Sequence, residues 1–315
     1  MFAFQTTPLN RHGEIRHTDD FINPLLELPN TYFLLVHQQS IVCVRSNTNS
    51  TSSTVDRNWQ PLWINPQELQ LSFDSFSKKH LIYLGEIDSK HYFTFRLKSS
   101  ESLQRIAQLT PDTKLELCNL RGLFKQLSSE QAHLCSVAVA MEHWHNTHQY
   151  CGFCGHETYS HQSGFVRNCS NQNCQKQHFP RTDSAVICAI TYQDKILLGR
   201  QTSWPDKRYS VIAGFVEPGE TLEQAVARES YEETGLTLKH IEYYRSQPWP
   251  FPQSLMVGFT AEAVHPEIKL LDQELEEAHW FSRQELKAAV KADALVLPFK
   301  FSISRELINQ WLMKI

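Results

Sequence analysis

The chain is short of glycine: 11 among 315 residues is about half the usual share of roughly 7%. Each glycine present therefore marks a backbone demand, and five of them fall into two groups, Gly152 with Gly155, and Gly214 with Gly219 and Gly235. Basic charge is also short, since 30 Lys and Arg face 34 Asp and Glu, for a net charge of -4 and a pI near 6.4. That balance does not indicate a broad, sequence-independent nucleic-acid surface, whereas a small phosphorylated substrate needs only local charge. No apolar run approaches the roughly 18 residues of a spanning helix, and Met1 to Phe4 is too short for a signal sequence. The expectation is a cytoplasmic protein without a membrane partner. No repeat of solenoid period is visible. What the chain does have is 41% hydrophobic residues, ample for real cores, over a length that suits two domains.

Periodicity and punctuation give a mixed order of elements. Tyr32 to Val44 is strand-like, and the polar stretch Arg45 to Arg57 reads as a hairpin loop between it and the segment from Trp59. Leu81 to Leu84 and His91 to Arg96 read as strands around a turn at Asp88 to Lys90. Ser128 to His145 reads as a helix, because Ser128 and Gln131 form a capping box ahead of apolar residues at helical spacing. Beyond Ser184, short strands are expected at 185–191, 195–199, 209–213, 241–245, 255–264 and 279–281. Ser282 with Glu285 caps a further helix, and a last one lies around Ser304 to Met313. The expected class is α+β. The expected domains are a mixed N-terminal one over 1–125, a linking helix and cysteine cluster over 126–180, and an α/β/α sandwich over 181–315.

Four cysteines, Cys43, Cys118, Cys135 and Cys188, stand singly and read as small buried hydrophobes. The other four, Cys151 and Cys154, then Cys169 and Cys174, form two knuckles that suit one tetrahedral Zn²⁺ per chain with no open coordination position. Two redox pairs are the alternative, weakened by the cytosolic setting. His178 follows closely, but four thiolates already fill the shell, so it reads as a core or pocket histidine. A zinc ribbon alone suits a nucleic-acid binding module as well as an enzyme.

The acidic stretch is more telling. Thr221 and Gln224 make a capping box and Gly235 a left-handed stop, so the helix is expected over Leu222 to Thr234. Glu229, Glu232 and Glu233 then project from one face, where like charges repel unless a hard cation such as Mg²⁺ or Mn²⁺ binds them. Arg228 can hold one of these carboxylates in a ligating rotamer. Gly214, Glu220 and Arg228-Glu229-Ser230-Tyr231-Glu232-Glu233-Thr234-Gly235-Leu236 resemble the Nudix box of nucleoside diphosphate-linked hydrolases. Ser230 departs from the pattern, which usually has a bulky apolar residue there. The ribbon just ahead of this box, and the run Ser246-Gln-Pro-Trp-Pro-Phe-Pro-Gln-Ser254 beyond it, are similar to the NADH pyrophosphatase branch of that family. The four-residue gap in the second knuckle resembles the branch's eukaryotic-type members. Thr7 to Arg11 with Arg16, Leu120-Arg121 through Trp144-His145, and His178 to Asp183 agree with it too. Phe179 and Ser184 depart, standing where Tyr and Pro are common.

The resemblance implies a Nudix fold and metal-dependent hydrolysis of the diphosphate of NAD(H), giving AMP and nicotinamide mononucleotide. It implies more than one divalent ion, held by the Ala213 carbonyl, Glu229, Glu233 and Glu274, with Glu232 a ligand or helper base. Spacing leaves Glu276 and Glu277 as competitors of Glu274. Substrate contacts are implied at Phe179 and Phe215, at Gln247, Pro248, Trp249, Pro250, Phe251, Pro252, Gln253 and Ser254, and at Ser304 beside Arg305. One aromatic comes from a partner subunit in the family, so a homodimer is implied. NAD-capped RNA, which carries the same bond, is the alternative substrate. A non-catalytic nucleotide sensor is the alternative from another class.

Overall fold

A computed structural model of the chain describes residues 9–18, 20–45, 59–65, 80–97 and 114–314. Met1 to Phe4, Thr7, Pro8 and nearly all of the polar loop at 45–57 lie outside these residues. One compact unit spans Ala3–Arg181 with Pro250–Gln253, and the other spans Thr182–Trp249 with Ser254–Ile315.

In the N-terminal unit, aromatic and β-branched runs make the strands β1 (Thr31–His37), β2 (Ser40–Arg45), β3 (Trp59–Pro61), β4 (Trp63–Ile64), β5 (Leu81–Ile87), β6 (Lys90–Arg96) and β7 (Leu115–Asn119). They form one sheet in the order β3-β2-β1-β6-β5, with β4 pairing β1 and β7 pairing β2; β1 and β6 run parallel. The helices are α1 (Ile22–Leu26), α2 (Leu120–Leu123) and α3 (Ser129–Thr147). The box between Ser128 and Gln131 starts α3 as expected, each residue's backbone N–H donating to the other's side chain at 3.1 Å.

The strand-like stretch at 32–44 is two strands, not one. Gln38 and Gln39 turn between them with φ of 46° and 62°, a left-handed pair that Gly or Asn would ordinarily supply. Glu142 of α3 replaces that local chemistry: its carboxylate, 1% exposed, accepts the N–H groups of Gln38 and Gln39 at 3.1 Å each.

The cysteine region adds β8 (Thr158–His161), β9 (Val166–Cys169) and β10 (Gln177–His178) in the order β10-β9-β8. Buried Arg167 ties it to α3. Its guanidinium donates to the Thr158 hydroxyl at 2.7 Å, the Thr158 carbonyl at 2.6 Å and His145 Nδ1 at 2.8 Å. Because Nδ1 accepts, Nε2 carries the proton and donates to the Gly164 carbonyl at 2.8 Å. Burial, aided by Arg96 and Arg167, pushes the His145 pKa down to about 3, so the ring is neutral.

The second unit has β11 (Asp183–Tyr192), β12 (Lys195–Arg200), β13 (Ile212–Phe215), α4 (Leu222–Thr234), β14 (Leu238–Trp249), β15 (Ser254–Ala263), β16 (Glu277–Ser282), α5 (Arg283–Lys291) and α6 (Ile303–Met313). The sheet order is β14-β15-β11-β12-β16, with β13 pairing β11 and a parallel β11–β15 pair at its centre. Val186, Cys188 and Ile190 form a core with Ala225, Val226 and Leu236 on the α4 face, while α6 contacts β11, β14 and β15. The strand expected at 241–245 runs on through Trp249, pairing Pro248 with Leu255 and Trp249 with Ser254. Pro is tolerated there because β14 is an edge strand.

The two units share one plan. The path β5-β6-β1-β2-β7 with β4 on β1 matches β14-β15-β11-β12-β16 with β13 on β11, and α3 packs on β1, β5 and β6 as α6 does on β11, β14 and β15. No repeat was legible because the match lies in strand order and register, not in residue identity.

Candidate active site

The acidic helix begins and ends where its punctuation requires. Thr221 N–H donates to Gln224 Oε1 at 2.8 Å and Gln224 N–H to Thr221 Oγ1 at 3.2 Å, and Gly235 closes the helix with φ of 68°. Ser230, which departs from the family pattern, is wholly buried. Its hydroxyl donates to the Val226 carbonyl at 2.7 Å, so the polar group is satisfied within the helix.

Arg228 organises loop and helix together. Its guanidinium donates to Glu220 at 2.6 and 3.1 Å, Glu229 at 3.0 Å, Glu232 at 2.9 Å and the Phe215 carbonyl at 2.8 Å. Glu229 lies so close to the strand β13 backbone that a Cβ on Gly214 would overlap its carboxylate. Burial raises the Glu229 pKa, Arg228 opposes this, and Glu232 and Glu274 add to the rise.

Glu233 is the extreme case. It is 2% exposed, and its Oε1 is buried with no hydrogen-bond partner among the described residues. Burial lifts its pKa to about 9, helped by Glu274, Glu229, Asp272 and Glu232 in that order. Among the described residues only the cysteine quartet brings three or more ligand atoms together; what suits a hard divalent cation at the acidic helix is a buried carboxylate oxygen without a donor, in the field of Glu274, Glu229, Asp272 and Glu232. The neighbouring Ala213 lies on β13 opposite Ile187.

Of the three competing acids in the later segment, Glu274 is the one whose charge helps raise Glu229 and Glu233. It accepts from Gln201 Nε2 at 2.7 Å. Glu276 is held by Arg200 at 2.6 Å, and Glu277 accepts from the Tyr209 hydroxyl and pairs with His279. Asp272 was not anticipated; its carboxylate accepts the Glu274 N–H at 3.0 Å, and no spacing rule singled it out.

The other expected contact residues fall into different settings. Phe215 and Phe179 are 61% and 60% exposed, open enough to stack on a flat ring. Gln247 is fully buried, its amide donating to the Phe301 carbonyl at 2.8 Å and accepting the Ile303 N–H at 2.7 Å. It fastens β14 to the start of α6. Trp249 stacks on Phe301 at 6.1 Å, and Ser254 opens β15. Pro250, Phe251, Pro252 and Gln253 belong to the other unit, where Arg121 lies over the Phe251 ring at 4.5 Å. Pro248 is exposed on the strand edge. Ser302 caps α6, so Ser304 lies inside the helix, 4% exposed, with its hydroxyl 2.6 Å from that of Ser210.

The ligand sulfurs of Cys151, Cys154, Cys169 and Cys174 all lie within 4.8 Å of one another. Cys151 and Cys174 are 3.9 Å apart and Cys154 and Cys169 3.4 Å, while tetrahedral Zn–S bonds of about 2.3 Å would set sulfurs about 3.8 Å apart. The Asn171 N–H donates to Cys169 Sγ at 3.4 Å, as a thiolate knuckle requires. The quartet fits a zinc ribbon. Of the single cysteines, Cys43, Cys135 and Cys188 are buried and Cys118 is partly so.

Family comparison agrees with this geometry. Residues 180–299 match the NUDIX domain, and residues 30–144 match the NADH pyrophosphatase-like rudimentary NUDIX domain. The chain is 39% identical over 241 residues to the NAD-capped RNA hydrolase NudC of Mycobacterium bovis, covering 73% of this chain and 74% of that one. It is 30% identical over 336 residues to the NAD-capped RNA hydrolase NUDT12 of Homo sapiens, covering 98% and 73%. A crystal structure of a NUDIX hydrolase from Nitrosomonas europaea is 23% identical over 47% of this chain and 97% of that one, with a TM-score of 0.39. The chain belongs to the NADH pyrophosphatase family of the Nudix hydrolases. No helix among the described residues is long and apolar enough to cross a membrane.

A pH dependence follows for protein stripped of divalent cations. Folding raises the Glu233 pKa from an ordinary 4.5 to about 9, so between those values the native state holds a proton that the unfolded state has lost. Stability therefore falls as pH rises across that window. The thermal midpoint of chelator-treated protein is expected to drop with pH more steeply in the wild type than in Glu233→Gln. Gly214→Ala should push the Glu229 carboxylate aside, and a midpoint that no longer rises on adding Mn²⁺ is the expected readout.

Proposed function

We propose that this chain hydrolyses the diphosphate bond of NAD(H), giving AMP and nicotinamide mononucleotide, with Mg²⁺ or Mn²⁺ at the acidic helix and Zn²⁺ in the cysteine ribbon. The observation that carries the reading is Glu233, buried with an unpartnered oxygen inside a group of like charges. Divalent ions, when bound, supply charge neutralisation on the bridging phosphates. Glu229, Glu233, Glu274 and the Ala213 carbonyl are the groups that would hold more than one such ion. Glu232, hydrogen-bonded to Arg228 and half exposed, is placed to help orient water or accept its proton. Water adds to one phosphorus, the bridging P–O bond breaks, and two nucleoside monophosphates leave.

Phe215 and Phe179 each offer an exposed face on which a flat ring can stack, whereas Ser304, buried with its hydroxyl on that of Ser210, would back the site and not meet the substrate. A homodimer and a cytoplasmic setting are parts of this reading. The first rests on resemblance alone, and the second on a cysteine quartet that suits zinc better than disulfides. A second reading has a specific support: both relatives above are named NAD-capped RNA hydrolases. That substrate presents the same bond at the end of an RNA. A non-catalytic sensor is disfavoured because the acids of the helix are all present.

Glu233→Gln is expected to abolish metal-dependent AMP release from NADH while leaving zinc content unchanged; undiminished turnover would remove the helix from the mechanism. Parallel rates on free NADH and NAD-capped RNA choose between the two substrates. Tight dinucleotide binding without cleavage in either metal would favour the sensor.

A further inference from the structure

The shared plan of the two units can be followed residue by residue. The two-residue turns after β1 and β11 align His37 with Tyr192, which sets Tyr32 at the place of Ile187. Tyr32 pairs with Tyr92 across parallel strands as Ile187 pairs with Gly258. Gly258 lies under the first turn of α6, where a Cβ would strike Ile303. Tyr92 lies under the first turn of α3, its hydroxyl donating to Glu130 Oε1 at 3.4 Å. Glu130 and Ser304 are each the second residue of their helix. The catalytic unit thus offers Ser304 at a place where the N-terminal unit offers Glu130.

That place in the N-terminal unit is open. A cleft of about 400 Å³ is lined by Tyr32, Trp63, Lys90, Tyr92, Glu130 and Gln131 among others, within the usual range of small-molecule sites, roughly 300–1,000 Å³. The Tyr32 and Tyr92 rings lie side by side at 5.9 Å and 27°, and Trp63 meets Tyr92 edge-on at 5.2 Å and 76°. Aromatic walls of this kind take a flat ring. The polar groups sort by role. Glu130 accepts; Gln131 Oε1 is occupied by the Ser128 N–H, which leaves Nε2 to donate; exposed Lys90 carries the positive charge at the rim. An acceptor beside a donor matches a purine edge bearing an amino group, and an ammonium at the mouth matches a phosphate.

We propose that the cleft of the N-terminal unit binds a purine nucleotide without cleaving it, the base against Trp63 and Tyr32, the edge on Glu130 and Gln131, and the phosphate on Lys90. The proposal stands apart from the hydrolytic reading, because binding is measured under chelation, with no turnover. Calorimetry of the full chain with AMP and, separately, GMP reads it, and preference between the two identifies the base. Trp63→Leu, which removes a stacking face, is expected to weaken one site roughly tenfold. Lys90→Glu, a surface change that keeps the fold, is expected to weaken the same site several-fold, more so at low salt. Loss in either variant, with its thermal midpoint retained, supports the proposal. Wild-type affinity and stoichiometry in both variants, or no nucleotide bound by the wild-type chain, overturns it.

Discussion

Negative charge confined beyond what the fold can neutralise is the constraint around which the second unit is organised. Arg228 brings one positive charge to Glu220, Glu229 and Glu232, and among the described residues no hydrogen-bond donor reaches Glu233 Oε1. The structure answers with placement. Gly214 clears room for Glu229, a two-sided capping box fixes the start of α4, and Gly235 fixes its end. Each device holds a carboxylate where repulsion would otherwise drive it out to solvent, which is costly unless a cation compensates. Because Arg228 also grips the Phe215 carbonyl, the loop and the helix keep one relative geometry.

Much of this was legible from local chemistry. Capping boxes at Ser128, Thr221 and Ser282 gave true helix starts, because the reciprocal bonds involve residues three apart. Long-range choices were not legible. Spacing could not separate Glu274 from Glu276 and Glu277, since what separates them is Arg200 and Tyr209, more than sixty residues away. Gln247 carries a polar amide in a run read as a substrate segment, yet both its ends are spent on the backbone at 301 and 303. Asp272 joins the acid cluster only through the fold of its loop.

The two units show how one plan can be filled differently. The parallel pair at the centre and the helix laid across it recur, while the acid-rich helix described in one unit is not matched by any element described in the other. Side chains facing the covering helix have changed character, from Ile187 and Gly258 to Tyr32 and Tyr92. Tyr32 and Tyr92 line a cleft at the place where, in the other unit, Gly258 lets Ile303 settle onto the sheet.

The Gln38–Gln39 turn stores its conformational requirement far from itself, in Glu142. Drift at positions 38 and 39 is therefore lightly constrained for as long as an acid stands at 142. A lineage that lost the acid would need glycine or asparagine in the turn as a compensating change, so the three positions should vary together across descendants of this sequence.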